Sequence, residues 1–185
     1  MLGEVVESSL DRFDATTASR AIEEFVVKDF STWYIRRSRG RVGPTAPDGE
    51  DKRAAYVTLY GVLAILSKTL APFTPFIAEE MYQNLFGCQR RYRGKGSTVL
   101  GAENSVHLSQ WPDHHDYLID HELLEDMPLV REIVEKGHSF RKTNQIKLRQ
   151  PLASVEVSGF SGFKSDFKKE LTSLIADELN VKKVV

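Results

Sequence analysis

One cysteine, Cys88, stands in the whole 185-residue chain. That excludes an internal disulfide framework and a cysteine-rich zinc site, and it fits a reducing, cytoplasmic setting. Net charge is equally scarce: 25 Lys and Arg stand against 26 Asp and Glu, a formal charge of -1. No global basic excess announces a polyanionic partner, so such a partner would have to be met by local clusters. Long apolar runs are missing too. The longest uncharged stretch, Ala54 to Ser67, includes Thr58, Gly61 and two tyrosines. It is shorter than the ~20 apolar residues of a membrane span, so no membrane partner is expected. No charged segment followed by an apolar one opens the chain, and none reads as a signal peptide.

Catalytic constellations are also lacking. No Gly-rich loop falls between a strand and a helix, where backbone N–H groups could cradle a phosphate. The five histidines are His107, His114, His115, His121 and His138. His114, His115, Asp116 and His121 have no standard metal-ligand spacing and read as solvated loop residues. Cys88 has no evident base beside it and reads as a bystander thiol. The acidic face Glu122, Glu125, Asp126, Glu132 and Glu135 reads as solvated surface. The chemistry of the residues does not describe an enzyme.

What is present is helical periodicity. At 41% hydrophobic and 28% charged residues, the chain suits a soluble globular protein. Leu2, Val5, Val6, Leu10 and Phe13 make a stripe that starts with no capping residue, as if continuing a longer helix. Asp14 is placed to cap a second helix. Ala18, Ile22, Val26, Phe30, Trp33 and Arg37 then follow at steps of three or four, which predicts one buried face with Phe30 and Trp33 in the core. Gly40, Gly43, Pro44, Pro47 and Gly49 end that helix. A third is predicted over 52–70. Thr74 and Pro75 sit at the N-cap and first position of a fourth, which buries Ile77, Met81 and Leu85 and meets Gly87 as a C-cap.

After a connector rich in Gly and Arg, Val106 to Pro112 reads as a short extended piece. A fifth helix is predicted from about Asp120 to Lys142, on the stripe Leu124, Met127, Val130, Val134, Gly137 and Arg141. Pro128 lies inside it and predicts either a kink or a start. The pattern then shifts. Lys147 to Ser158 reads as a strand, Phe163 to Leu179 as a helix and Val181 to Val185 as a second strand.

Basic residues gather at element ends. Arg36, Arg37, Arg39 and Arg41 close the second helix; Arg90, Arg91, Arg93 and Lys95 lie in the connector; Arg141, Lys142, Lys147 and Arg149 flank the helix-to-strand junction. One such cluster is explained by solvation and by attraction to helix C-terminal carbonyls, ~0.3–1 kcal/mol each. Three in a slightly acidic chain make a phosphate-binding face plausible, with strongly salt-dependent affinity.

These residues also carry a resemblance. Ala21-Ile22-Glu23-Glu24-Phe25 through Ser31-Thr32-Trp33-Tyr34-Ile35-Arg36-Arg37-Ser38-Arg39 resembles the anticodon-binding domain of class I isoleucyl-tRNA synthetases. In register with it are Ala55-Tyr56-Val57-Thr58-Leu59-Tyr60, Leu70-Ala71-Pro72-Phe73-Thr74-Pro75 through Tyr82, Ser105 to Leu108, and Trp111-Pro112. So are Ile146-Lys147-Leu148-Arg149-Gln150-Pro151-Leu152 and Glu178 to Lys182. The Ala-Pro-Phe-x-Pro piece is shared with valyl, leucyl and methionyl relatives. The Trp-Tyr-Ile-Arg-Arg and Lys-Leu-Arg-Gln-Pro-Leu pieces point more narrowly to isoleucine. The family's catalytic signatures, His-Ile-Gly-His and Lys-Met-Ser-Lys-Ser, are absent. Gly40 to Pro44 and Pro128 depart from its usual pattern.

The resemblance implies a mainly α fold: an antiparallel helix bundle over 1–144 with a small β-α-β appendage over 145–185. It implies a fragment that docks the anticodon stem-loop of an isoleucine tRNA. A catalytic domain of the same polypeptide would supply ATP- and Mg-dependent chemistry; this fragment itself would hold no cofactor. The expected phosphate contacts are Arg36, Arg37, Arg39 and Arg41, with Lys142, Lys147 and Arg149 as a second group. The alternatives are the same domain from a valyl or leucyl enzyme, or a helical protein-interaction module with solvated arginines.

Overall fold

The structure, a computed structural model, describes residues 2–87, 103–113, 119–158 and 162–185. It is mainly helical, and its contacts divide it into two units, Met1–His114 and His115–Val185. The long helix His121–Thr143 therefore groups with the residues that follow it.

In the first unit α1 (Leu2–Asp11) and α2 (Ala15–Glu24) pack through Val6, Ala18 and Ile22, joined by Leu66 from α4 (Glu50–Leu70). Asp14 caps α2 as expected, accepting from the Thr17 N–H at 3.0 Å and from the Thr17 hydroxyl at 2.6 Å. The same bonds hold its carboxyl below the ordinary carboxylate range.

Helix α2 runs on into a π-helical segment, Phe25–Ile35. Such wide turns are rare and short in most proteins. Thr32 reinforces this one: its hydroxyl donates to the carbonyl five residues back, Val27, at 2.8 Å and to that of Lys28 at 2.9 Å. Phe25, Phe30 and Tyr34 stack along the segment, with ring centroids 6.1 and 6.2 Å apart. The wide turn corrects the expectation for Trp33. A stripe counted at 3.6 residues per turn keeps Trp33 beneath Phe30, but five-residue hydrogen bonding slows the rotation of successive side chains. Phe30 is buried and Trp33 is only half-buried.

The chain returns to α-helix in α3 (Arg36–Val42), which lies against α4. The Tyr56 hydroxyl of α4 donates to the Val42 carbonyl at 3.0 Å. Helix α5 (Pro75–Tyr82) begins as predicted at Pro75, but Thr74 caps it by position alone: its hydroxyl makes no bond to the helix N-terminus. The turn after Tyr82 widens into a short π-helical piece, Gln83–Gly87, instead of closing at a Gly87 cap. The expected extended piece begins as a 3-10 turn, Val106–Leu108. Glu79 explains the turn, because its carboxylate accepts from the Ser105 hydroxyl and the Val106 N–H, each at 2.9 Å. Burial opposes that charge, yet bonds from Gln83, Val106 and Ser105 hold the Glu79 carboxyl below its usual range.

In the second unit α6 (His121–Thr143) packs on α7 (Lys168–Leu179). Asp120 caps α6 through the Leu123 N–H at 2.9 Å. Pro128 is accommodated inside the helix without ending it. Val130, Val134 and Arg141 are buried on α6; Leu171, Ile175 and Leu179 are buried on α7. Gly137 permits the approach, since a Cβ there would stand 2.6 Å from Leu179 Cδ1.

Two expectations are corrected in this unit. Asp126 is no surface carboxylate: it is 1% exposed and accepts from the backbone N–H groups of Lys164 at 3.0 Å and Ser165 at 2.8 Å. Burial works against its charge, but those two donors keep its carboxyl below the ordinary range. The β-α-β appendage is not supported, for no strand forms among the described residues. The two segments meet only in isolated parallel bridges, Leu152 with Val181 and Val155 with Val184.

Candidate nucleic-acid interface

The cationic end of the first unit is shaped by what α3 buries. Ser38 is its buried residue. At about 100° per residue, Arg36 projects nearly opposite Ser38, Arg37 and Arg39 lie to either side, and Arg41 falls nearest the buried face. Arg36 and Arg39 are exposed, Arg37 and Arg41 half-buried.

Each arginine is held differently. Arg36 Nε donates to the Thr32 carbonyl at 2.9 Å. Its guanidinium lies 5.8 Å from the Trp33 ring centroid and that of Arg37 lies 6.0 Å from it. Trp33 is thus a platform for two cations, a contact worth ~0.5–1 kcal/mol at an exposed site. Arg41 is engaged by Asp51 at the start of α4. Its Nε lies 3.0 Å from each carboxylate oxygen, and its Nη2 lies 2.7 Å from one of them. That hydrogen-bonded pair raises the Arg41 guanidinium and lowers the Asp51 carboxyl from their usual values.

In the second unit the basic cluster divides. Lys142, Lys147 and Arg149 are exposed, whereas Arg141 beside them is 4% exposed. The connector cluster Arg90 to Lys95, Cys88, and the group His114, His115 and Asp116 lie outside the described residues. His121 is exposed at the first position of α6. Among the described residues no three or more His, Cys, Asp or Glu are grouped to hold a metal ion. Nor is any described helix long and apolar enough to cross a membrane.

Pattern reasoning missed Trp33 as a cation platform, Asp51 as the partner of Arg41, and the inward turn of Arg141. For Arg141 a signal existed. It sits on the apolar stripe, one helical turn after Gly137, where a solvated cation does not belong.

The family model of the anticodon-binding domain of tRNA ligases matches residues 2–157, and the chain belongs to that family. Its relatives include isoleucine–tRNA ligases. The one from Clostridium acetobutylicum is 44% identical over 97% of this chain. That of Thermus thermophilus is 38% identical over 97% of the chain, and that of Thermococcus kodakarensis 38% over all of it. In each case the chain spans 16% of the relative's length.

Proposed function

We propose that this chain is the part of an isoleucine–tRNA ligase that docks the anticodon stem-loop of the tRNA. The observation that carries the reading is the family match over 2–157, which includes the arginines of α3. Arg36, Arg37 and Arg39 supply phosphate contacts. Lys142, Lys147 and Arg149 form a second group. Arg41 contributes only as far as Asp51 releases it. Phosphate contacts give affinity and register, while sequence is read through base edges. The isoleucine assignment rests on the relatives.

Aminoacylation, with its ATP and Mg²⁺, belongs in this reading to a catalytic domain of the same polypeptide in the cytoplasm. In the same reading this chain itself holds neither ATP nor Mg²⁺.

The test is binding of an isoleucine tRNA transcript at several salt concentrations. Arg36→Ala with Arg37→Ala should weaken binding and lower the salt slope by roughly one unit per lost phosphate contact. An unchanged affinity and slope would remove those contacts from the interface. Valine and leucine tRNAs are the comparison; equal or reversed preference overturns the isoleucine assignment.

A further inference from the structure

We propose that Arg141 and Asn180 are positioning residues. They hold residues 145–150 as a preformed edge on which Lys147 and Arg149 meet the phosphates of an RNA backbone. The inference rests on the docking reading above and goes beyond it in saying how that edge is built.

Arg141 occupies the last turn of α6, where a lysine or arginine ordinarily faces water. Here its guanidinium turns inward. Nη1 donates to the carbonyls of Lys147 at 3.2 Å and Gln150 at 3.1 Å. Nη2 donates to those of Leu179 at 2.6 Å and Asn180 at 3.2 Å. A guanidinium this buried requires every such partner, because a buried charge without hydrogen bonds is costly. Two carbonyls come from the end of α7, whose unsatisfied C=O groups carry partial negative charge. The other two come from the segment 145–150.

Asn180 completes the clamp. It adopts the left-handed region, φ 48°, and its Nδ2 donates to the Leu148 carbonyl at 2.9 Å. Gln145 is left-handed as well, φ 55°, and the Ile146 N–H returns to the Arg141 carbonyl at 2.8 Å. The carbonyls of Lys147, Leu148 and Gln150 are therefore all committed to donors of the protein. Lys147 and Arg149 remain exposed on either side of Leu148.

This arrangement has an electrostatic and an entropic consequence. Carbonyl oxygens are the groups of a loop that repel a phosphate, and here those of Lys147, Leu148 and Gln150 are spent on Arg141 and Asn180. The backbone is also fixed before any ligand arrives, so its ordering cost does not fall on binding.

Asn180→Gly isolates the device. Glycine keeps the left-handed backbone and removes only the donor to Leu148. Binding of the isoleucine tRNA transcript is measured across salt concentrations in four forms of the chain: native, Asn180→Gly, Lys147→Ala with Arg149→Ala, and all three together. Circular dichroism at the assay temperature selects conditions in which each is folded. The Lys147→Ala, Arg149→Ala form should lose affinity and about one unit of salt slope per contact. Asn180→Gly should weaken the native chain several-fold and have no further effect in the form lacking both cations. An equal loss in both backgrounds, or no loss in either, overturns the positioning role and leaves the clamp as a tie between helices. If the loss of Lys147 and Arg149 changes nothing while Arg36→Ala with Arg37→Ala weakens binding, this inference fails and the docking reading stands. If neither pair matters, both fail.

Discussion

The two cationic helix ends look alike in sequence and are built on opposite plans. At the end of α3 the cations stay at the surface, restrained by neighbours that are themselves partly exposed: Trp33 beneath Arg36 and Arg37, and Asp51 beside Arg41. At the end of α6 one cation is taken into the interior, and the carbonyls it gathers fix the backbone that carries the others. The first plan restrains Arg36 and Arg37 on one shared ring and Arg41 on a carboxylate. The second makes one arginine structural so that two neighbouring cations can be placed by the backbone. Counting Lys and Arg in a stretch therefore says little about how many are available to a ligand.

That contrast can be broken at its strongest point by truncating one arginine at each end. Arg141→Ala leaves buried carbonyls without donors and should cost on the order of 3 kcal/mol or more, read from the denaturant midpoint. Arg36→Ala should change the same midpoint by about 1 kcal/mol or less, the size of an exposed cation–π contact. Equal effects would erase the distinction.

The glycines offer a milder version. Gly137→Ala drives a Cβ into Leu179 and should cost about 1–3 kcal/mol by overpacking. Gly40 lies within α3 with open space around it, so Gly40→Ala should stabilise by roughly 0.5–1 kcal/mol through helix propensity. Thermal or chemical melts of the two variants should thus move in opposite directions.

Titration tests the buried carboxylate of the second unit. The Asp126 carboxyl is held below its ordinary value in the folded chain. The unfolded chain then binds its proton first, so this contribution is complete above the normal carboxylate range, about pH 4, and is lost as pH falls through the folded value. The stability gap between the native chain and Asp126→Asn should be widest near neutrality and shrink in acid. A gap independent of pH would mean that the charge contributes nothing.

The smallest effect sharpens the first unit alone. Asp51→Asn should leave the denaturation midpoint nearly unmoved, because an exposed ion pair offsets its attraction with side-chain entropy and screening. It should nonetheless tighten binding of an isoleucine tRNA and steepen the salt slope by up to about one unit as Arg41 is released. An unchanged slope would place Arg41 outside the interface.

Local chemistry in the sequence was legible where local chemistry decided the structure. The Asp14 cap, the Pro75 helix start and the buried face Ala18, Ile22 and Phe30 follow from neighbours within a turn or two. Trp33 went astray because a run of wide turns changes the period on which a stripe is counted. Asp126 looked like one acid among many; only the backbone of residues 164 and 165, far along the chain, brings it inside. The C-terminal segments alternate like strands but pair only at isolated bridges, a matter of register and length that alternation does not encode. Of the basic clusters, charge and position were readable. The direction in which each arginine turns was not, because Asp51 and the α7 carbonyls that decide it lie elsewhere in the chain.

The contacts made by α5 reach further than the 3-10 turn they shape. Glu79 grips Ser105 and Val106, Gln83 donates to the Asn104 carbonyl at 2.6 Å, and the Tyr82 hydroxyl donates to that of Glu103 at 3.3 Å. Together they form a clasp that brings the two ends of the intervening connector to one place. The tie holds the Val106–Leu108 turn to α5 through side chains from little more than one helical turn, so the register between these two pieces is set there.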